Sequence, residues 1–423
     1  MTAHILKCGP AVLCLLVFPF WITGGGRSSA AHTRPSSRVR LPETLRIGIL
    51  TLFQPQEVTL AAGSRPATLH LDERPVALPP GRLCRVAKDA GGLALWQGER
   101  RLAIGTHLAV AAEDVTVEVT GRRTRLRRHF CGTLTVTPGE KHLQLVVTQP
   151  PEAVVAAVVS AELSPEAPSE AAKALAVVVR SYLVNHVGRH AGQGFDFCDS
   201  THCQLFFGEQ WARREAGRET GGALSGLGKQ AAADTQGEVL RGTGGRLSDA
   251  YFTACCGGRT TTPAVAFGMG QDSTTATGVR CRWCREARFF AWMRRVDRRT
   301  LARALLPELA ATESWNIAVA GRTPDGFVTS LVVQAGSRQI TLPNYRFRHL
   351  VGQRLGWNLV LSNRYAIEPH GEWLVLRGQG FGHQVGLCLA GAIAQAQAGR
   401  HYRDILRHYF PKSACHNALQ TDF

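Results

Sequence analysis

VVSAELSPEAPSEAAKALAVVVRSY, residues 158–182, is the stretch on which the reading of the fold turns. Its first part closes an apolar run, EAVVAAVVSAEL (152–163), which ends in one buriable acid, Glu162. Pro165 and Pro168 then punctuate the chain, because proline fixes φ and removes a backbone donor. Beyond them the pattern is helical over 169–186. Leu175, Val178, Val179 and Tyr182 fall on one apolar face. Ser169 is placed to cap this helix, and Glu170 sits in its first turn, where the helix dipole favours an anion. Burial raises a carboxyl pKa and lets the acid hold a proton near neutrality. Glu162 is therefore of chemical interest. Glu166 and Glu170 lie close by, however, and most such acids are structural.

Working outward, residues 45–149 are strand-like. LRIGILTLF, ATLHLD, LALWQ, DVTVEVTG, GTLTVTP and HLQLVVTQ are short alternating or β-branched runs split by Gly, Pro and Asp turns. GRRTRLRRH (121–129) reads as a basic hairpin or loop with a solvated face. After Pro150 the texture becomes mixed. Residues 210–243 read as helical to turn-like; 249–256, 327–341 and 373–377 read as strands; 390–399 and 402–410 read as helices. The expected class is α+β, a β-rich N-terminal subdomain (45–149) followed by a mixed catalytic-type domain with a cleft (150–423).

The N-terminus bears on the compartment. Lys7 precedes an apolar run of about twelve residues, AVLCLLVFPFWI (11–22), and small residues follow. This predicts a signal peptide over 1–31, cleaved near Ala30 or Ala31, and a polar linker over 32–44. The mature chain is then extracytoplasmic: secreted, periplasmic or wall-associated. It touches a membrane only if the segment is retained as an anchor. The net charge is +17, with six lysines against 43 arginines. Such a positive field draws a protein to anionic polymers. Nucleic acid is excluded as a partner, because the chain is exported and shows no nucleic-acid module.

Three further clusters could carry chemistry. HVGRHAGQGFDFCDSTHCQLFFG (186–208) gathers His186, His190, Cys198, His202 and Cys203. Two thiolates with one or two imidazoles suit tetrahedral zinc, while a Cys198–Cys203 disulfide with unrelated histidines is the plainer alternative. DAYFTACCGGRT (249–260) is followed by CRWC (281–284). Gly257 and Gly258 mark a tight turn, and the four cysteines suit two disulfides better than a second zinc site in an exported protein. RGQGFGHQVGLCLAGA (377–392) lets backbone approach a ligand, but its spacing is wrong for a phosphate loop. His383 in it is either a substrate-orienting or a structural histidine.

In this order, VVSAELS, EAAKALAVVVRSY, DFCDSTHCQ, YFTACCGGRT and GQGFGHQVGLCLAGA resemble the motifs of the stage II sporulation protein D / amidase-enhancer family of bacterial cell-wall proteins. The resemblance covers residues 150–411. It implies an exported protein acting on peptidoglycan glycan strands, similar to lytic transglycosylases that leave 1,6-anhydro ends. It assigns the catalytic acid to Glu162. It implies structural zinc on Cys198, His202 and Cys203, with His190 or His186 as fourth ligand. Arg180, Tyr251, Gly257, Gly258 and His383 become candidate substrate contacts. Four positions depart from the pattern: the proline after the acid is displaced to Pro165, Leu175 and Leu389 replace glutamines, and Gln384 replaces a glycine. Two alternatives follow, a non-catalytic wall-binding protein that enhances a partner amidase, and a zinc or redox protein built on the cysteines. An arginine-rich, lysine-poor chain argues against a low-GC spore former.

Overall fold

The computed structural model of the chain describes residues 41–121, 124–215, 218–242, 245–269, 278–305 and 315–418. The expected signal peptide (1–31), with Cys8 and Cys14, and most of the expected linker lie outside the described residues. No described helix is long and apolar enough to cross a membrane.

The first half is one sheet. Its strands are β1 (Leu45–Ile49), β2 (Glu57–Ala62), β3 (Ala67–Leu71), β4 (Arg74–Leu78), β5 (Leu83–Asp89), β6 (Gly92–Gln97), β7 (Arg100–Gly105), β8 (Leu108–Thr120), β9 (Thr124–Pro138) and β10 (Leu143–Gln149). Alternation specifies the faces: β3 reads buried–exposed throughout ATLHL. Helices α1 (Pro151–Glu162) and α2 (Ser169–Asn185) follow, then β11 (Phe197–Cys198), β12 (Gln210–Glu215) and β13 (Arg218–Ala223). The main path of this sheet runs β11-β1-β10-β9-β8-β2-β5-β6-β7, with the β12–β13 hairpin added on β9. The 210–223 segment is thus a hairpin, not the helical stretch expected, because β9 offers Arg125–His129 as a pairing edge for β12.

α1 starts at Pro151, where a missing N–H costs nothing, and its valines and alanines are buried on almost every side. α2 begins at Ser169 as expected, but Pro168 occupies the cap position and no side chain caps the helix. Leu175, Val178, Val179 and Tyr182 are all buried. Both helices share a single apolar core with the sheet. The boundary expected at 149/150 is therefore a change of texture and not of core.

Next come α3 (Gly226–Asp234), β14 (Glu238–Gly242), β15 (Phe252–Thr253) and α4 (Pro263–Phe267). A second lobe follows: β16 (Ala291–Asp297), α5 (Arg298–Leu305), β17 (Trp315–Arg322), β18 (Val328–Ala335), β19 (Arg338–Pro343), α6 (Asn344–Leu355), β20 (Arg364–His370) and β21 (Trp373–Gln379). It has its own core around Trp292, Leu301, Leu331, Phe347 and Leu376. The chain then returns through β22 (Leu387–Cys388), α7 (Leu389–Gln397), α8 (Tyr402–Tyr409) and β23 (Ser413–Asn417) to the first core. The class is α+β, as the sequence predicts.

Candidate active site and thiol–imidazole cluster

α1 ends on Glu162. Leu163 turns to an extended conformation, and the Ser164–Pro168 turn keeps α1 and α2 separate. The displaced proline leaves the helix end on the acid. Glu162 is partly exposed but closely surrounded, and burial pushes its carboxyl up to about 7, against a backbone N–H donated by Leu205. Its neighbours behave differently. Glu166 is exposed. Burial also acts on Glu170, but the Tyr402 N–H and Lys173 outweigh it and hold that carboxyl below the usual range. Of the three acids, Glu162 is the one tuned toward neutrality.

Leu205 belongs to the loop that carries the thiols. Two aspartates of DFCD fasten this loop to the edge of the sheet. Asp196 accepts from the backbone N–H of Arg46 at 2.8 Å. Asp199 accepts from Leu50 N–H at 2.7 Å, Thr51 Oγ1 at 2.6 Å and Arg128 Nη1 at 2.5 Å. β11 adds two parallel backbone pairings to β1. Arg128 is 4% exposed, so this part of the expected solvated basic stretch is instead a buried ion pair with Asp199.

The loop presents His190, Cys198, His202 and Cys203 with all four ligand atoms within 4.8 Å of one another. His190 Nε2 stands 3.4 Å from Cys203 Sγ, and His202 Nδ1 stands 3.7 Å from both sulfurs. His190 Nδ1 faces Gln193 Oε1 at 2.8 Å. An imidazole that donates through Nδ1 to this oxygen keeps its Nε2 lone pair for the cluster. Both thiols are free, which sets aside the Cys198–Cys203 disulfide. Bonds of about 2.0–2.3 Å from N and S to one ion imply tetrahedral edges of about 3.3–3.8 Å, and the separations above fall there.

His186, the other candidate ligand, is elsewhere. It stacks on Tyr182 at 4.4 Å, with Nδ1 3.1 Å from Tyr182 O and Nε2 3.4 Å from Tyr251 Oη. Tyr251 packs edge-on against Tyr182 at 5.9 Å and against His383 at 6.0 Å. This aromatic column joins α2, the residue preceding β15 and the Gly-His turn, bringing the four sequence clusters together.

Several candidate substrate contacts take other roles. Arg180 is fully buried, and its five N–H groups go to Glu152, Ala232, Thr235 and Glu238, leaving none for a sugar. Gly257, at φ 64°, lets the turn approach Gly380; a Cβ there would lie 2.5 Å from Gly380 N. Gly258, at φ 97°, accepts the Cys281 N–H through its carbonyl. His383 accepts the Val385 N–H on Nδ1 at 3.1 Å, and burial, with the Arg348 cation, holds its imidazole down at about 4 against a backbone hydrogen bond with Phe252. It is neutral at neutral pH and braced within the turn. Tyr251 is buried, and burial pushes its phenol up to about 12.

Gln384 explains one departure from the pattern. Its φ is 63°, where glycine is comfortable, yet its side chain is fully buried. Oε1 accepts Asn363 N–H at 2.7 Å, and Nε2 donates to Cys256 O at 2.8 Å and Gln379 O at 3.0 Å. Gln384→Ala keeps the backbone strain and orphans three buried groups. It is expected to cost about 2–4 kcal/mol in urea unfolding. A cost under about 1 kcal/mol would refute the role given to this side chain.

Residues 139–241 match the family model described as Stage II sporulation protein. The chain is also 27% identical over 243 residues to an uncharacterized protein of Brachyspira hyodysenteriae, covering 56% of this chain and 59% of that protein. It therefore spans less than two thirds of that relative's length.

Proposed function

We propose that this chain, which belongs through residues 139–241 to the stage II sporulation protein D family, is an exported cell-wall protein that cleaves peptidoglycan glycan strands with Glu162 as its acid/base. The observation that carries this reading is the Glu162 carboxyl. It ends α1, is raised to about 7 by burial, and is touched by Leu205 from the thiol–imidazole loop. At neutral pH such an acid is half protonated. It donates its proton to the leaving glycosidic oxygen, and the resulting carboxylate takes the proton of the sugar's own C6 hydroxyl. That hydroxyl closes a 1,6-anhydro ring, so no second carboxylate acts as nucleophile. The signature product is an anhydro-muropeptide.

His190, Cys198, His202 and Cys203 would hold one zinc ion. Four protein ligands leave no open position, so the ion would supply structure rather than chemistry. Its place between α2 and Leu205 suits it to fix the loop that contacts Glu162. Chelation is expected to speed amide exchange across residues 196–207 by at least about tenfold, while β8 and β9 stay protected. Equal exchange with and without chelator would sink the structural role.

Purified glycan strands, with and without stem peptides, are to be digested and the products weighed by mass spectrometry. Anhydro ends support the proposal. If none form, but the chain binds walls and accelerates an added amidase, the non-catalytic enhancer reading takes its place.

A further inference from the structure

Four of the described cysteines outside the first cluster form a second one. Cys256, Cys281, Cys284 and Cys388 are all buried, with their four Sγ atoms within 4.8 Å of one another. None is in a disulfide. This differs from the two disulfides expected among Cys255, Cys256, Cys281 and Cys284: Cys388 is one of the four mutually close sulfurs, and Cys255, though its thiol touches Cys284 and Cys388, is not. The backbone of Cys255 is paired to Phe381 in both directions, which leaves the next residue, Cys256, to join the quartet.

We propose that Cys256, Cys281, Cys284 and Cys388 form a second metal site, a closed four-thiolate centre for one zinc ion. A tetrahedral ion with sulfur at about 2.3 Å sets its ligands about 3.8 Å apart. Cys256 and Cys284 Sγ stand 3.6 Å apart, where a disulfide would hold them at about 2.05 Å. An iron–sulfur cluster places irons and sulfides between its cysteines and needs a wider cage than this one. C-x-x-C at 281–284 is a ligand pair suited to a metal knuckle.

The surroundings are those of thiolates. Cys388 Sγ faces the N–H groups of Cys256 at 3.2 Å and Gly391 at 3.4 Å. It sits at the cap position of α7, where the helix dipole favours negative charge. The Tyr409 hydroxyl lies 3.1 Å from Cys281 Sγ. Such donors stabilise metal-bound sulfur. A Cβ on Gly391 would lie 2.8 Å from Cys281 Sγ, so the backbone here is shaped to the sulfurs.

Position gives the site a purpose. Cys256, Cys281 and Cys284 precede the second lobe, and Cys388 follows it, so one ion ties the lobe's two connections to the first core. Nothing in this depends on glycan cleavage, and of the expected results only the total of two ions and its fall in Cys203→Ser draw on the first cluster.

The test is metal analysis of the full chain, purified without chelator, with alkylation and mass spectrometry of its thiols. Two zinc ions per chain are expected, falling to one in Cys203→Ser, one in Cys284→Ser, and staying at two in Cys255→Ser. Cobalt(II) loaded into Cys203→Ser should give the intense thiolate charge-transfer band of a four-sulfur site. This measurement decides the matter even if Cys284→Ser fails to fold. Disulfides among the four cysteines, iron with acid-labile sulfide, or a cobalt spectrum without that band overturns the proposal.

Discussion

Glu162→Gln is expected to abolish anhydro-muropeptide release while making the protein more stable at pH 8. The catalytic loss should be about 10³-fold, the scale of one positioned acid/base. The stability gain has a separate cause. The folded state holds a proton on Glu162 up to about pH 7, whereas the unfolded chain releases it near 4.5. Between those values the folded state binds more protons, so stability falls as pH rises through the window. Above pH 7 the ionised, desolvated carboxylate costs about 1–3 kcal/mol, discounted for its partial exposure. Glutamine carries no charge and still accepts from Leu205. The variant should therefore match wild type near pH 4 and exceed it at pH 8 in urea unfolding. Wild-type cleavage should fall above about pH 7, as the donor loses its proton. A variant that retains activity removes Glu162 from the chemistry. One that shows no pH-dependent gain removes the desolvated carboxylate.

The parts of this arrangement that were legible in the sequence share a reason. α1 and α2 announce themselves by periodicity and proline punctuation, which are local properties. His190, Cys198, His202 and Cys203 announce themselves because thiols and imidazoles at short spacing have few other uses. What could not be read is decided by distant partners. QWARRE, β12, has little strand character of its own and becomes a strand because β9 offers an edge. His186 and His190 are chemically equal candidates, and the aromatic column beneath α2 separates them. Asp196 and Asp199 stand in the motif in plain view. Their role as acceptors depends on N–H donors in and just after β1, about 150 residues earlier in the chain. Cys388 lies too far along the chain from C-x-x-C for spacing to connect them. Gln384 stands where the pattern has a glycine, and only the fold shows that its side chain bonds three backbone groups.

Arg180→Ala is expected to cost about 2–4 kcal/mol of stability, because it removes a buried guanidinium with five hydrogen bonds and strips the cation from Glu152, which is itself partly exposed. The guanidinium is 0% exposed. Its Nε and Nη2 meet the two Glu152 oxygens at 2.8 and 2.6 Å, a bidentate fork. Nη1 and Nη2 reach the carbonyls of Glu238 and Ala232 at 3.0 and 3.2 Å. One side chain thus joins the start of α1, the middle of α2, the end of α3 and the start of β14. Removing it leaves Glu152 without its cation and two carbonyls without donors. Pairing Arg180→Met with Glu152→Leu should recover the part of the loss that comes from the unpaired charge, since replacing both charges with apolar groups of similar volume is close to neutral, while the two carbonyls left without donors keep the remainder. Arg180→Lys keeps the charge but not the fork, and should fall between wild type and Arg180→Ala. The decisive comparison is kinetic. In Arg180→Lys, turnover and KM per folded molecule should equal those of wild type, because no N–H of Arg180 is free to reach a sugar. A raised KM in protein that is fully folded by circular dichroism would return Arg180 to the substrate site and displace the brace described here.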